Sequence, residues 1–308
     1  MRLLLTIAAM LCMLANASDS HATATKIAAD SPDRNFSIRV AGGGWRGADR
    51  AEIEAVLYAV AKELLPRMPG KLTVPIVVSH TDGNPIALYD KGPNGEYLVQ
   101  LHASEERWHL YVYEFAHELC HLLSNYEMNT VDGAEKYNQW LEESLCEVSS
   151  LFVLKNLAAR WAVLPSRPVW HERAQMLQRF YDQLIAEEHR RLPATTSAAE
   201  WLRDNEETLR RDPYQREKND MVAKLLLPLF ERDPGNWNAL AYLNLDDGDG
   251  LSSLRDYLHH WYRNAPAEHK ALIADIIQLF RMDEKELPAG VLVSAAFSRE
   301  TAAGQPTR

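Results

Sequence analysis

The sequence predicts an α+β protein in which a small mixed N-terminal half precedes a mainly helical C-terminal half. Strand-forming runs at residues 71–78, 86–89 and 96–102 are short and are separated by turns. From residue 165 onward, apolar residues instead recur at helical spacing, and prolines divide the helical segments. Strands collected in one part of the chain and helices in another are typical of the α+β class.

The N-terminal half is expected to hold two helices beside its strands. A glycine-rich stretch at 40–47 lacks the Gly-Lys-Ser/Thr sequence of a phosphate loop, so we interpret it as the turn before a helix at 49–65. Pro75 lies inside the run 71–78 and indicates an edge strand or a bulge. The second helix covers the aromatic and apolar run 108–123.

The C-terminal half is expected to be a series of helices. A helix at 140–154 comes first, and the later periodic segments are 170–188, 198–210, 215–230, 237–243, 251–262 and 267–282. The run 246–250 is Asp-Asp-Gly-Asp-Gly, which invites a calcium-loop interpretation, but its surroundings do not follow the EF-hand order. We therefore interpret it as a solvated turn.

The composition and the two ends of the chain indicate an exported globular protein. Hydrophobic residues make up 46% of the chain, and its formal net charge of −10 comes without clustered basic residues, so no nucleic-acid partner is expected. Residues 1–22 combine Arg2, an apolar core and small residues, which is the pattern of an export signal to the periplasm or the exterior. That core is too short for a membrane span, and no later segment is apolar enough. Residues 298–308 are expected to be disordered.

One five-residue string, His117-Glu118-Leu119-Cys120-His121, carries the strongest chemical signal. Histidines four residues apart stand on one face of a helix, where two imidazoles can bind one zinc ion. Glu118 can then act as a general base on a zinc-bound water. Two alternatives stay open: histidines that hydrogen-bond within a core, and a chance match in a chain with eleven histidines.

A second helical segment supplies candidates for a third zinc ligand. Within the run 140–154, Glu143 and Glu147 lie one helical turn apart. Glu143 is the candidate ligand, which leaves the fourth zinc position open for water. Glu147 is expected to accept a hydrogen bond from the far nitrogen of His117. The alternative is a helix with an acidic solvent face, but acidic residues in so apolar a helix need a partner when buried.

The motif H-E-x-x-H followed by Trp140-x-x-Glu143-x-x-x-Glu147 resembles the gluzincin branch of zinc metallopeptidases, to which thermolysin and a group of aminopeptidases belong. The resemblance covers residues 97–155, and the step from His121 to Glu143 is similar to the family's usual gap. It implies a zincin-like fold, a zinc cofactor and hydrolysis of peptide bonds. The chain lacks the G-x-M-E-N exopeptidase motif of the aminopeptidases and departs from thermolysin in its downstream half, so the substrate stays open.

A zinc peptidase of this kind also needs a donor for the oxyanion that develops on the substrate. We favour Tyr214, because it follows a proline turn and precedes a helix. The other candidates are Arg216, Tyr181 and His189, and the alternative role of Tyr214 is packing at a helix start. The run 96–102 is expected to be an edge strand that pairs with an extended peptide or protein substrate. Its alternative is a central strand without a ligand.

Two cysteines outside the signal, Cys120 and Cys146, lie one in each of the two zinc-site helices. If those helices converge on one metal, the two residues come close, and a disulfide can join them in an oxidising compartment. The alternatives are two buried thiols and thiolates that compete for zinc.

The sequence therefore predicts an exported zinc metallopeptidase with an α/β subdomain at 23–125 that carries the H-E-x-x-H helix. A helical subdomain at 126–297 is expected to supply the third zinc ligand. Two other functions stay open. One is a zinc-binding relative that captures peptides without cleaving them, and the other is an exported helical protein with a chance motif.

Overall fold

A computed structural model describes residues 36–65, 72, 74–129, 136–164, 168–246 and 248–282 of the chain. Within these residues the protein is α+β, with one small mixed sheet and a mostly helical remainder, which confirms the predicted class at that level. The predicted export signal at 1–22 and the predicted tail at 298–308 lie outside the described residues.

Among the described residues the sheet has four strands, in the order β1-β2-β4-β3. Strands β1, β2 and β4 run parallel, and β3 pairs antiparallel with β4 at the edge. The strands are β1 (Ile38–Val40), β2 (Ile76–His80), β3 (Ile86–Ala87) and β4 (Tyr97–Leu101). The prediction that 96–102 forms an edge strand is therefore wrong, because β4 lies between β2 and β3. The edge or bulge inferred from Pro75 is wrong too, since Pro75 precedes β2 and β2 is a central strand.

The first helix, α1 (Arg50–Leu64), confirms the prediction at 49–65. It begins where the Asp49 side chain accepts hydrogen bonds from the backbone N–H groups of Ala51 and Glu52, at 2.9 and 3.1 Å. Its apolar face contributes Ile53 and Val60 to the core beneath the sheet.

The second helix, α2 (Trp108–Leu123), is fixed to the sheet by a buried carboxylate. Glu114 accepts hydrogen bonds from the backbone N–H groups of His102 and Ala103, which follow β4, both at 2.8 Å. These hydrogen bonds satisfy the backbone N–H groups that follow β4, and they fix the rotation of α2 about its own axis.

The third helix, α3 (Gln139–Ala162), packs closely along α2 because small residues lie at the contact. Ser149 Oγ donates to the carbonyl of Ala116 at 3.0 Å, and Ser150 Oγ donates to the carbonyl of Tyr113 at 2.8 Å. The hydrophobic core surrounds this helix pair and continues into both halves of the chain. This pairing decides which side chains of α2 and α3 face each other at the site.

The remaining helices pack on the other sides of α3 and on one another. They are α4 (Pro168–Ala186), α5 (Ala198–Arg211), α6 (Arg216–Arg232), α7 (Leu254–Asn264) and α8 (Lys270–Leu279). The helix predicted at 237–243 belongs to a 3₁₀ segment, Pro234–Tyr242, whose tighter turns suit a short connector. None of the helices among the described residues combines the length and apolar character needed to cross a bilayer.

Candidate metal centre

Helices α2 and α3 bring together two imidazoles and one carboxylate that the sequence singled out. The Nε2 atom of His117 lies 3.1 Å from Glu143 Oε2, and the Nε2 atom of His121 lies 3.6 Å from Glu143 Oε1. Both imidazoles thus point the same kind of nitrogen at the same carboxylate. We call His117, His121 and Glu143 the imidazole–glutamate cluster.

The spacing within this cluster fits a small divalent metal. Ligand atoms about 2.0–2.1 Å from a tetrahedral metal lie about 3.3–3.4 Å from one another. Each imidazole nitrogen lies near that separation from a different oxygen of Glu143: His117 Nε2 is 3.1 Å from Oε2, and His121 Nε2 is 3.6 Å from Oε1. The donor set of two imidazoles and one carboxylate is also one that zinc accepts in sites with an open fourth position.

The electrostatics of the cluster favour a bound cation. Burial alone would lower the pKa of His121, but the negative charge of Glu143 and the hydrogen bonds that the imidazole donates to Glu142 and Glu143 raise that pKa well above its ordinary value. Burial opposes ionisation of Glu143, yet the positive charge of His121 and hydrogen bonds from both imidazoles lower its pKa overall. The carboxylates therefore attract positive charge to this cluster, and a metal cation would supply that charge in place of the imidazole protons.

Glu118, the candidate base, is buried at 5% exposure and stands between the two histidines on α2. Its carboxylate accepts a hydrogen bond from the backbone N–H of Ala87 in β3. Burial raises the pKa of Glu118, while the positive charge of the neighbouring imidazoles opposes that rise. A carboxylate of raised pKa accepts a proton more readily near neutral pH.

A chain of hydrogen bonds that the sequence did not indicate holds His121 from behind. Its Nδ1 atom lies 2.7 Å from Oε1 of Glu142, the residue directly before Glu143. Asn244 Nδ2 donates to the other oxygen of Glu142 at 2.8 Å, and the Tyr257 hydroxyl donates to Asn244 Oδ1 at 2.5 Å. Glu142 could have been suspected as an acidic residue in an apolar helix, but nothing local marks Asn244 or Tyr257.

Glu147 has other partners than the predicted His117. Tyr113 donates its hydroxyl to Glu147 Oε2 at 2.5 Å, and Arg190 Nη2 lies 2.8 Å from Oε1. Tyr113 precedes His117 by one turn of α2, so its side chain reaches the carboxylate that was expected to support the imidazole. Glu147 therefore anchors a buried ion pair beside the cluster.

Cys120 and Cys146 come together between α2 and α3, as their positions suggested, but both thiols are free. The disulfide expectation is therefore wrong, and the alternative of two buried thiols holds. The Sγ atom of Cys146 lies within 4.8 Å of ring nitrogens of His117 and His121. Burial and a hydrogen bond with Cys120 raise its pKa well above the ordinary value in the metal-free protein. Glu143 lies 3.1 and 3.6 Å from the nearer nitrogens of the two imidazoles.

Two cavities of about 370 and 260 Å³ flank the cluster and share His117, Glu118, Glu143 and Tyr214 in their walls. The favoured oxyanion donor, Tyr214, thus faces the site, and Gln139 Nε2 donates to its oxygen at 2.9 Å, which leaves the phenolic hydrogen free to point elsewhere.

The other oxyanion candidates lie in different surroundings. Arg216 lines the smaller cavity and donates to the hydroxyl of Tyr113 at 3.2 Å. Tyr181 lies beside Lys155, and neither Tyr181 nor His189 is among the described residues that line the two cavities. The structure therefore keeps Tyr214 and Arg216 as candidates at the site.

Two further groups combine histidine with carboxylates among the described residues. In the first, His189 lies 2.9 Å from Asp220 Oδ2, but the Arg190 guanidinium contacts the same oxygen at 3.2 Å and already supplies a positive charge there. The second consists of Asp246, Asp249 and His260, and we call it the loop cluster.

Comparisons of this chain with protein-family models, with curated proteins and with solved structures found no match. The site must therefore be interpreted from its own geometry.

Proposed function

We propose that this protein is an exported zinc-dependent metallopeptidase of the gluzincin type, with a zincin-like arrangement of its sheet and active-site helix. One observation carries the proposal. The Nε2 atoms of His117 and His121 meet a single carboxylate, Glu143, at 3.1 and 3.6 Å, with Glu118 between them on a cavity wall.

His117, His121 and Glu143 would hold the zinc ion. When bound there, zinc supplies the Lewis acidity that activates a water molecule and polarises a peptide carbonyl. Glu118 then accepts a proton from the attacking water and passes it to the leaving amine. Its position is fixed by the N–H of Ala87, so the base and the sheet edge belong to one rigid unit.

The sheet edge also suits an extended peptide. Because the backbone N–H of Leu88 bonds to Leu98 of the β4 side, the backbone groups of Ala87 point away from β4. The Ala87 carbonyl is therefore placed to accept from a substrate strand that pairs with β3. This role replaces the one expected of 96–102, and it places substrate backbone beside Glu118.

Tyr214 and Arg216 would stabilise the developing oxyanion. Both enter the site from the segment that leads into α6, opposite the sheet edge. A phenol or guanidinium aimed at that charge stabilises it most where water is excluded, and because Tyr214 and Arg216 are exposed here, the bound substrate would have to displace that water. Cavity space on both sides of the cluster suits a peptide or protein chain that passes through the site.

The test is Glu118→Gln, assayed for zinc content and for cleavage of a mixed peptide library. Zinc should stay bound, while cleavage falls by about 10²- to 10⁴-fold, because the amide cannot accept the proton. The matched control is Glu172→Gln, which changes an exposed glutamate on α4 and should leave both readouts unchanged. Full cleavage by Glu118→Gln would overturn the mechanism. Zinc and peptide binding without cleavage by the unaltered protein would favour the non-proteolytic binding function instead.

A further inference from the structure

Asn244 is built into the protein in an unusual way. It lies in the loop after the 3₁₀ segment Pro234–Tyr242, is 2% exposed, and has a backbone φ of +58°. That left-handed conformation disfavours most residues, whereas asparagine and glycine adopt it readily. The backbone conformation therefore favours asparagine or glycine at position 244, and the hydrogen bonds of the side chain favour asparagine.

Each polar atom of the Asn244 side chain has a partner in a different part of the fold. Its Nδ2 group donates to the carbonyl of Ser124 at the end of α2, at 3.0 Å, and to Glu142 Oε2 on α3, at 2.8 Å. Its Oδ1 atom accepts from the Tyr257 hydroxyl on α7. Glycine would fit the backbone but would make none of these bonds.

Asn244 is connected to the imidazole–glutamate cluster through Glu142, which in turn contacts His121. Glu142 is 3% exposed, and a buried carboxylate with one oxygen unsatisfied is costly and free to rotate. With Asn244 on Oε2, the other oxygen stays directed at His121 Nδ1, 2.7 Å away. A proton held on Nδ1 leaves the lone pair of His121 on Nε2, the nitrogen that faces Glu143.

We infer that Asn244 is a positioning residue for the metal centre: it orients Glu142, which fixes the tautomer and ring angle of His121 for the metal. Tyr257 supports it by fixing the amide. The inference rests on the proposed zinc site, and it makes the affinity of that site depend on a hydrogen bond from the C-terminal part of the chain. Loss of such support typically weakens metal binding about 10- to 100-fold.

The chain offers a close control in Asn125. It is also an asparagine at positive φ, +59°, and it anchors the same loop by donating to the carbonyls of Ala241 and Leu243 at 3.0 and 2.7 Å. These two hydrogen bonds are to backbone carbonyls, whereas Asn244 donates to a carboxylate that holds a metal-ligand histidine. Asn125→Gly therefore loosens the loop without removing the donor to Glu142.

The experiment measures the zinc dissociation constant by chelator competition for the unaltered protein, Asn244→Gly, Asn125→Gly and Tyr257→Phe. Asn244→Gly should weaken zinc binding by about 10- to 100-fold, and Asn125→Gly by less than about twofold. Tyr257→Phe, which keeps the buried ring, should give an intermediate loss. The visible absorption of the cobalt-substituted protein reports ligand geometry, and it should change in Asn244→Gly and stay unchanged in Asn125→Gly.

Equal zinc affinity in Asn244→Gly and the unaltered protein would overturn the inference, as would equal losses in Asn244→Gly and Asn125→Gly. Both results require that the unaltered protein binds zinc. Failure of the unaltered protein to bind zinc would instead overturn the proposed function, so the two failures are distinguishable. If Asn244→Gly fails to fold, Tyr257→Phe carries the test, and an unchanged affinity and cobalt spectrum in that variant would overturn the inference.

Discussion

The imidazole–glutamate cluster and the loop cluster contain the same kinds of side chain in different surroundings. In the loop cluster, His260 Nδ1 lies 2.7 Å from Asp249 and 3.6 Å from Asp246, distances close to those between His117, His121 and Glu143. Short contacts between histidine and carboxylates therefore occur at both places and do not by themselves distinguish a metal centre.

The difference lies in what else the carboxylates do. Asp249 Oδ2 accepts from the backbone N–H of Asp246, and Asp246 accepts from Asn264 at 3.1 Å, so protein donors occupy the loop cluster. In the imidazole–glutamate cluster, Glu143 faces a second imidazole where the loop cluster has a backbone N–H or an amide donor. The imidazole–glutamate cluster also lines two cavities. A metal site thus needs several ligand atoms that point at one position and a cavity through which the metal and substrate can reach it. In the loop cluster, hydrogen-bond donors of the protein already satisfy the carboxylates, which is typical of a structural role.

The largest effect should come from removing the carboxylate at the proposed metal site. Glu143→Ala should weaken zinc binding by more than about 100-fold, because losing a ligand costs more than losing the support of one. Chelator competition measures this directly. Asp249→Ala removes a buried carboxylate from the loop cluster and should leave zinc affinity unchanged. Equal losses of zinc affinity in Glu143→Ala and Asp249→Ala would contradict the assignment of the metal site to the imidazole–glutamate cluster.

A moderate effect on stability should mark the loop cluster instead. Asp249→Ala leaves His260 and the N–H of Asp246 without their acceptor, so the free energy of unfolding should fall by about 1–3 kcal/mol. Denaturant unfolding of the metal-free protein measures it. Asp204→Ala, at an exposed position on α5, should change stability little. No loss in Asp249→Ala would contradict the structural role.

The smallest effect concerns the thiols beside the metal site. Cys146→Ala should leave zinc affinity essentially unchanged, because the proposed ligands are His117, His121 and Glu143 and do not include the thiol. In the unaltered protein, without reductant, an alkylating reagent should modify Cys120 and Cys146 only after denaturation. If the mass of the denatured protein shows no alkylated Cys120 or Cys146, the two residues form a disulfide, which would contradict the free thiols of the structure.

Local patterns in the sequence were enough to predict much of this fold. Helices α1, α2 and α3 follow from apolar spacing, since that signal acts within a few residues. The strand order could not be derived, because a two-residue strand such as β3 carries almost no periodic signal. Its place at the edge is set by pairing with β4, not by its own composition.

The candidate site likewise has a part that local sequence patterns predict and a part that they do not. His117, His121 and Glu143 come together as predicted because helical spacing and one helix pair suffice to place them. The partners of Glu147 and Glu142 were not predictable, since Arg190 and Asn244 are distant in sequence and nothing near them marks a contact. Tyr113 was accessible to reasoning, because it stands one turn before His117 on the same helical face.

The most direct test of the account is elemental analysis of the purified protein beside His121→Ala and His260→Ala. We expect about one zinc ion per chain in the unaltered protein and in His260→Ala, with zinc lost from His121→Ala. Zinc retained in His121→Ala, or lost in His260→Ala, would place the metal elsewhere. An unaltered protein without zinc after supplementation would contradict the proposed metal centre and the function built on it.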